Sequence, residues 1–180
     1  IRASKIFDRC VIVASGASDS PSLIYLTPYT AMTIAEYFRD LGKDVLVVMD
    51  DLSVHARAHR EISLIARKFP GRSSYPGDIF YIHSRLLERA GNFKGSQGES
   101  SITCLPAAET VQADFTGYIQ TNLISMTDGH LFFDYKLFAE GRRPAIDPFL
   151  SVTRVGRQTT SGLKMEIGNT LTSFLKNTEQ

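Results

Sequence analysis

Alternating apolar runs and helical repeats organise the first half of the chain. The runs Cys10–Ala14 (CVIVA) and Asp44–Asp50 (DVLVVMD) are rich in β-branched residues, as is typical of strands buried on both faces of a sheet. Apolar residues at helical spacing follow, over about 22–41 and 53–68, and Pro28 is expected to interrupt or kink the first of these helices. Strand, helix, strand, helix at this spacing predicts βαβ units and a parallel sheet.

The stretch Tyr75–Ala90 (YPGDIFYIHSRLLERA) predicts a turn that leads into a third helix. Pro76 and Gly77 break the preceding structure, and the Asp78 side chain can accept hydrogen bonds from the first amides of a helix. Apolar residues then recur at helical spacing. Taken alone, this pattern indicates an amphipathic helix and no particular chemistry.

The second half of the chain is predicted to alternate short strands with loops. Three runs predict strands, namely Ser101–Pro106 (SITCLP), Asn122–Met126 (NLISM) and His130–Phe133, the last of which follows an Asp–Gly turn. An exposed loop or hairpin tip rich in Gly and Ser is expected at 91–100, and an irregular segment with prolines is expected at 140–148. A closing helix is expected over about 160–176.

The composition is that of an ordinary globular domain. The 180 residues are 43% hydrophobic and 22% charged, with a formal net charge of +1. That charge gives no electrostatic case for nucleic acid or an anionic membrane, and no apolar run approaches the ~20 residues of a membrane span. Cys10 and Cys104 match no zinc pattern and are expected to be reduced and buried. The chain opens on Ile1 and ends at Gln180 inside a helical pattern, so both ends are expected to continue in a longer protein.

Asp50 is the first residue that could carry chemistry. It ends an apolar predicted strand, and the ligands of nucleotide-binding α/β folds gather at the carboxyl ends of parallel strands. A carboxylate there can orient waters around Mg²⁺ bound to phosphates, which is the Walker B arrangement. Many strands, however, end in Asp because its side chain caps the next helix, so both interpretations stay open.

Residues near the end of the chain form a second group of candidates. Arg154 lies in LSVTRVGRQ, where an arginine on a short loop could stabilise charge on a transferring phosphate. Ser151 could position that loop through side-chain to backbone hydrogen bonds. Arg143 and Pro144 form a rigid turn with a planar cation that could offer a stacking surface to an adenine. A surface arginine in an ion pair would give the same pattern.

The sequence contains no phosphate loop and no complete zinc motif. The pattern GxxxxGK[ST] occurs nowhere in it. His55 and His59 stand four residues apart on a predicted helix, as paired histidines do in some zinc enzymes. The glutamate that should follow the first histidine is absent, and Arg57 and Arg60 add positive charge. A solvated helix face is therefore the predicted setting of these histidines.

Five stretches, taken in order, resemble the alpha subunit of F-type ATP synthases. They are EYFRDLGKDVLVVMDDLS, PGRSSYPGDIFYIHSRLLERA, LISMTDGHLF, GRRPAI and LSVTRVG, which together span nearly the whole chain. The resemblance implies an α/β fold: a RecA-like core of the P-loop NTPase type, with a mostly parallel sheet and flanking helices. The chain would cover the later part of that nucleotide-binding domain, 1–158, without its P-loop. Residues 159–180 would then begin a C-terminal helical domain.

The resemblance also implies roles for the candidate residues. Alpha subunits of this family alternate with catalytic beta subunits in a hexameric ring around a central stalk. They bind Mg–ATP or ADP without turning it over and lend an arginine finger to the neighbouring catalytic site. Arg154 takes the place of that finger, Ser151 begins its motif, and Asp50 matches the Walker B aspartate, which assists the Mg²⁺. Arg143 and Pro144 match the loop beside the adenine.

Departures from the family pattern limit what the chain alone is expected to do. Arg157 follows Gly156 where small residues are usual, and PAIDP is closer to beta-like relatives. The missing phosphate loop would supply amides and a lysine that contribute much of nucleotide affinity. The chain alone is therefore expected to bind nucleotide weakly or not at all and to lack ATPase activity. The complete subunit would sit in the soluble head at the cytoplasmic face of the membrane, which it would meet only through the ion-translocating sector.

Two other functions stay open as alternatives. The chain could be a stand-alone RecA-like interaction or scaffold domain that has lost nucleotide binding. A related hexameric motor, such as a flagellar-export or RNA-translocating ATPase, is disfavoured by the sequence of Tyr75–Ala90 and by the lack of a basic or aromatic RNA-binding stripe.

Overall fold

Two compact units, Ile1–Met126 and Thr127–Gln180, make up the chain. Both contain helices and strands, as the predicted α/β class requires. The predicted domain boundary after residue 158 is a different division and stays a prediction. The computed structural model describes residues 6–96, 98–110, 114–156, 158 and 160–178.

In the first unit, helices alternate with the strands of one sheet. In chain order the elements are α1 (Pro21–Asp40), β1 (Val45–Met49), α2 (Leu52–Ile65), α3 (Ile79–Leu87), β2 (Gly91–Gly95), β3 (Gly98–Pro106) and α4 (Tyr118–Met126), with short 3-10 turns at Phe7–Arg9 and Arg72–Ser74. The strand order is β1-β3-β2. β1 and β3 are parallel and joined through the helices α2 and α3, as predicted for a βαβ unit, whereas β2 and β3 form an antiparallel hairpin.

In the second unit, one antiparallel strand pair is followed by a helix. The elements are β4 (Gly129–Phe133), α5 (Tyr135–Ala139), β5 (Ile146–Thr153) and α6 (Gly162–Thr178). The predicted strand after the Asp–Gly turn and the predicted closing helix are confirmed, whereas the five-residue α5 was not predicted. None of the described helices in either unit is both long enough and apolar enough to cross a membrane.

The first helix begins where its sequence predicts and continues through its internal proline. The Leu23 amide donates to the Ser20 hydroxyl oxygen at 3.3 Å, and Pro21 occupies the first helical turn, where its missing amide hydrogen costs nothing. The interruption expected at Pro28 does not occur, because the helix runs unbroken to Asp40. Burial of Met32 in the core offsets the hydrogen bond that the proline removes.

One face of the sheet carries the core of the first unit, and on the other face no described element covers the apolar side chains of β1. Val47, Met49 and Ile102 are buried under the helices, together with Met32, Ala35, Leu52, Ala56, Ile79, Leu86, Leu87, Ile119 and Leu123. On the opposite face, Leu46 and Val48 of β1 are 62% and 63% exposed. The prediction that β1 is buried on both faces is therefore wrong for the described chain, since helices cover only one side of it. An uncovered apolar face is typical of a surface that associates with other polypeptide.

The predicted strand Cys10–Ala14 is wrong. The segment has no strand pairing, and its Val11 and Ile12 side chains are 58% and 63% exposed. A β-branched run becomes a strand only where another strand can share its hydrogen bonds, and none of the described strands pairs with it. Cys10 is consequently exposed rather than buried, although it and Cys104 are both free, as predicted.

The predicted strand Asn122–Met126 is also wrong, because these residues belong to the helix α4. Five apolar and polar residues fit either periodicity, so the run alone does not distinguish a strand from a helix. Ile119, which precedes the run, and Leu123 lie one helical turn apart and are 4% and 5% exposed. Packing of this pair in the core selects the helix.

Histidines form a buried polar layer between the first three helices. Nδ1 of His55 in α2 lies 3.0 Å from Nε2 of His83 in α3. The Tyr25 ring of α1 stacks on the His55 ring, with 4.9 Å between the ring centroids. His59 Nε2 lies 2.8 Å from Oδ1 of Asp78, just before α3. The solvated helix face predicted for His55 and His59 is wrong, because α1 and α3 cover them to 2% and 5% exposure. Within the described residues, no group of three metal-ligating side chains forms a metal site.

Burial of His55 and His83 opposes the protonation of these two rings. Burial, followed by the influence of the His59 charge, lowers the His55 pKa from 6.5 to about 4. Burial and the neighbouring histidines lower the His83 pKa to about 3. Tyr25 and Tyr29 face the pair from α1. Both imidazoles are therefore neutral at physiological pH, and in the hydrogen bond between them one ring donates its N–H while the other accepts.

We expect acidification from pH 7.5 to 5 to destabilise the chain through this pair. Because the folded pKa values lie below the unfolded value near 6.5, the unfolded chain takes up protons first, and stability falls as the pH drops through 6.5 toward 4. One such ring accounts for about 2 kcal/mol at pH 5. His83→Gln keeps a polar group near His55 but cannot titrate, so urea unfolding at each pH should show a smaller loss.

The carboxylates provide a separate pH window for this experiment. The hydrogen bond from Arg89 holds the pKa of Glu36 below 4.5, and the hydrogen bond from His59 holds that of Asp78 below 3.8. Their stabilisation is lost only as the pH falls through those lower values. Undiminished acid sensitivity of the His83→Gln variant between pH 7 and 5 would contradict the assignment to the histidine pair.

Candidate functional site

Asp50 lies at the edge of the sheet where the parallel strands β1 and β3 both end. Ala107, just past β3, donates from its amide to the Met49 carbonyl at 2.8 Å and accepts at 3.0 Å from the Leu52 amide. Met49 and Leu52, on either side of Asp50 and Asp51, are therefore both hydrogen-bonded to Ala107 at the end of β3. The peptide bond between the two aspartates is cis.

The sequence left two interpretations open for Asp50, a helix cap or a carboxylate near Mg²⁺. The helix cap is Asp51 instead. Asp51 caps α2, since its Oδ1 accepts from the Val54 amide at 2.6 Å. Asp50 is exposed at the carboxyl ends of the parallel strands, where ligands of open α/β sheets bind. A single carboxylate suits Mg²⁺, which keeps several waters and takes its other ligands from phosphates. The residues present thus fit a water-mediated Mg²⁺ contact at Asp50.

Arg143 and Pro144 lie in the loop that joins α5 to β5 in the second unit. The Arg143 guanidinium carbon is 3.6 Å from the centre of the Phe138 ring, and its Nη1 donates to the carbonyls of Phe138 and Arg142, both at 2.8 Å. The Asp134 amide donates to the Ala145 carbonyl and closes the loop at its base. These contacts hold the exposed guanidinium against the Phe138 ring.

The strand β5 carries a large bulge opposite β4. Phe132 pairs with Asp147, and His130 pairs with Val152, so residues 148–151 of β5 stand opposite Leu131. The Phe132 amide donates at 3.0 Å to the Ser151 hydroxyl oxygen.

Ser151 bridges the bulge. Besides accepting from Phe132, its hydroxyl donates to the Asp147 carbonyl at 2.6 Å. The half-buried side chain therefore links the two ends of the bulge to β4. The predicted kind of hydrogen bond, from the side chain to the backbone, is present, and the role of Ser151 at the Arg154 loop stays a prediction.

Arg154 follows β5 directly and lies in an exposed turn. Its amide donates to the Asp128 carbonyl at 2.6 Å, which extends the ladder by one residue. The turn is closed by the Gly156 amide, which donates to the Thr153 hydroxyl at 3.3 Å, and Gly156 has a φ of +68° that favours glycine. The backbone of Arg154 is thus fixed while its side chain stands at the surface.

The structure brings the candidate residues into two groups. Ser151 and Arg154 belong to the β4–β5 pair, and Arg143 and Pro144 precede the same β5. Asp50 belongs to the other compact unit.

Sequence reasoning missed three residues that shape the second group. Phe138 supports Arg143, Asp147 holds the bulge, and Gly129 permits the close approach of β4 to β5. Asp–Pro within PAIDP is a turn signal and could have indicated the role of Asp147. Nothing in the sequence indicates the stacking of Phe138, since it depends on how the loop closes.

A cavity of about 200 Å³ in the first unit contains none of the candidate residues. It lies between α2 and α4, beside the Tyr75 and Tyr118 rings, and Arg57 and Glu109 form an ion pair at 3.3 Å on its wall. With both charges paired, its lining is close to neutral and points to no particular ligand.

Comparison with protein families identifies one match that covers most of the chain. Residues 1–153 match the ATP synthase alpha/beta family, nucleotide-binding domain. That match confirms the predicted fold class, an α/β nucleotide-binding core.

Individual relatives agree with the family match. The chain is 51% identical over 170 residues to ATP synthase subunit alpha of Acholeplasma laidlawii, covering 94% of this chain and 34% of the relative. It is 53% identical over 164 residues to ATP synthase subunit alpha of Mycoplasma pneumoniae (87% and 32%), and 54% identical over 149 residues to ATP synthase subunit alpha 3 of Paraburkholderia xenovorans (83% and 28%). The predicted resemblance to alpha subunits is confirmed, and the chain spans about a third of the length of these curated relatives.

We expect Gly129→Ala to destabilise the second unit. A Cβ at this position would lie 2.7 Å from the Val152 carbonyl oxygen and 3.1 Å from Thr153 Cα, which are backbone atoms of the paired strand. Forcing the strands apart should cost about 1–3 kcal/mol of unfolding free energy. Gly162→Ala is the matched control, because its Cβ would meet no atom within 4 Å. Equal urea unfolding midpoints for the two variants would contradict the close-approach argument.

Proposed function

The chain belongs to the ATP synthase alpha/beta family, and on this premise we propose that it is the later part of a non-catalytic, nucleotide-binding alpha subunit. In this role it contributes to ion-driven ATP synthesis and hydrolysis without completing a catalytic site of its own. Its contribution is Arg154, offered to the catalytic site of an adjacent beta subunit. For the nucleotide-binding role, Asp50 of the first unit and the Arg143–Pro144 loop of the second are separate candidate contacts.

The placement of Arg154 is the observation that supports this proposal best. A guanidinium that acts on a neighbouring subunit must be exposed, yet its backbone must be held so that the charge arrives at a defined position. Arg154 meets both requirements, with an exposed side chain and a backbone tied to Asp128. Its planar, permanently charged group suits the equatorial oxygens of a phosphoryl group in transfer.

Asp50 and the loop at Arg143, one in each compact unit, each offer a contact to nucleotide. The exposed Asp50 carboxylate would accept hydrogen bonds from waters around Mg²⁺, and the ion, when bound, would neutralise phosphate charge. Arg143 and Pro144 would contact the adenine, with Phe138 holding the guanidinium plane in place. Mg–ATP or ADP is therefore the proposed ligand of the complete subunit.

The proposed partners are the catalytic beta subunits and the central stalk of the same complex. The exposed apolar sheet face at Leu46 and Val48 agrees with a chain that meets further polypeptide. In this arrangement the chain lies in the head of the complex at the cytoplasmic face of the membrane. The ion-translocating sector would connect it to the bilayer.

We expect Arg154→Ala, introduced into the complete subunit and assembled with its partners, to lower the turnover number about 10³-fold or more. Assembly should be intact, because the side chain is exposed and its backbone hydrogen bond is kept. Arg154→Lys should restore little of the turnover, since an ammonium lacks the planar guanidinium that can bind two phosphate oxygens at once. Steady-state ATP hydrolysis checks this, with Arg9→Ala as a control at another exposed arginine. Wild-type turnover by the Arg154→Ala complex would refute the proposed arginine-finger role of Arg154.

We expect the purified 180-residue chain to show no ATP turnover and only weak nucleotide affinity. The sequence contains no GxxxxGK[ST] motif, so it lacks the amides and lysine that grip the β and γ phosphates. Phosphate release and calorimetric titration with Mg–ATP would measure both properties. Sustained phosphate release by the chain alone would contradict the non-catalytic role.

A further inference from the structure

We propose that Asp147 is a positioning residue for Arg154, because its carboxylate fixes the bulge of β5 that determines where the arginine is presented. The inference rests on the proposed role of Arg154 and names the group that regulates its placement.

Asp147 holds the start of the bulge with its side chain. Its Oδ1 accepts from the Phe149 amide at 2.7 Å and from the Leu150 amide at 3.0 Å. Both amides belong to the bulge, and the register of β4 with β5 pairs neither Phe149 nor Leu150 with a residue of β4. One oxygen atom therefore satisfies two donors that the bulge removes from the sheet.

The same residue also binds the end of the bulge. The Asp147 carbonyl accepts from the Ser151 hydroxyl at 2.6 Å, and that hydroxyl accepts from the Phe132 amide of β4 at 3.0 Å. The His130 ring donates from Nε2 to the Leu150 carbonyl at 2.9 Å. The bulge is thus closed on both sides into one defined shape.

The shape of the bulge determines where the strand resumes. After it, Val152 pairs with His130 and Thr153 pairs with Gly129, and the Arg154 amide then donates to the Asp128 carbonyl. Without the carboxylate, the segment 148–151 can shorten or lengthen its path. A changed path shifts the register of every residue that follows. A displacement of about 1 Å at a group that acts on a transition state costs up to about 100-fold in rate.

A purely structural role for Asp147 makes different predictions from a positioning role. If the residue only stabilised the unit, its loss would reduce the amount of assembled complex and leave the turnover number of the assembled fraction unchanged. If it positions Arg154, the turnover number falls, and the fall disappears once Arg154 is absent. A double-mutant cycle between the two residues separates these cases.

The experiment uses the complete subunit assembled with its partners and measures the turnover number per assembled complex. Asp147→Ala should lower turnover about 10–100-fold. Asp147→Asn retains an oxygen that can accept from both amides, and it should stay within about twofold of wild type. In the Arg154→Ala background, Asp147→Ala should cause no further loss. Where Asp147→Ala does not assemble, Asp147→Glu displaces the carboxylate by one methylene, and its turnover should be reduced at least threefold.

Each result bears on the inference in a defined way. Wild-type turnover by Asp147→Ala, or by Asp147→Glu where the alanine variant does not assemble, would overturn it. An equal additional loss in the Arg154→Ala background would also overturn it, because Asp147 would then act independently of the arginine. Wild-type turnover by Arg154→Ala alone would instead refute the proposed function, so the two failures are distinguishable.

Discussion

The parallel pairing of β1 with β3 is the interaction on which the first unit depends. It aligns Val45 with Ile102 and Met49 with Pro106, residues more than fifty positions apart, and so requires the intervening helices to cross over the sheet. That crossover places α2 and α3 beside α1 and buries their shared face. It also brings Ala107 to the end of β1, where it fixes the backbone on both sides of the aspartate pair. The position of Asp50 is therefore a consequence of long-range strand pairing.

The second unit reaches its shape by a different route, in which polar side chains replace backbone partners. Two antiparallel strands have little core of their own, and Leu131, Phe133 and Val152 are all at least half exposed. Within the bulge, Asp147 and Ser151 provide hydrogen bonds that a regular ladder would provide through carbonyls and amides. Such a strand pair is marginal by itself. Its geometry is held by specific polar contacts, which is why single side chains there can influence a neighbouring arginine.

The buried histidine layer shows how a sequence pattern can mislead when the covering element is distant. His55 and His59 read as a solvated face because charged residues surround them on α2. In the fold, α1 and α3 cover that side of α2 and bring Tyr25 and His83 against the rings. The neutral imidazoles of His55 and His83, paired with one another, are compatible with such burial, whereas isolated cations are not. The same helical periodicity therefore accommodates a polar interior as well as an apolar one.

The sequence by itself determined the elements whose signals are local. Ser20 with Pro21 sets the start of α1, and Gly156, with its positive φ, suits the turn that carries Arg154. Tertiary structure alone decided which apolar runs became strands, since Cys10–Ala14 has no pairing partner and Asn122–Met126 is needed in the helical core. The reason is physical: capping and turn geometry depend on a few adjacent residues, whereas strand formation, burial and the bulge of β5 depend on hydrogen bonds between segments that the chain order does not place together.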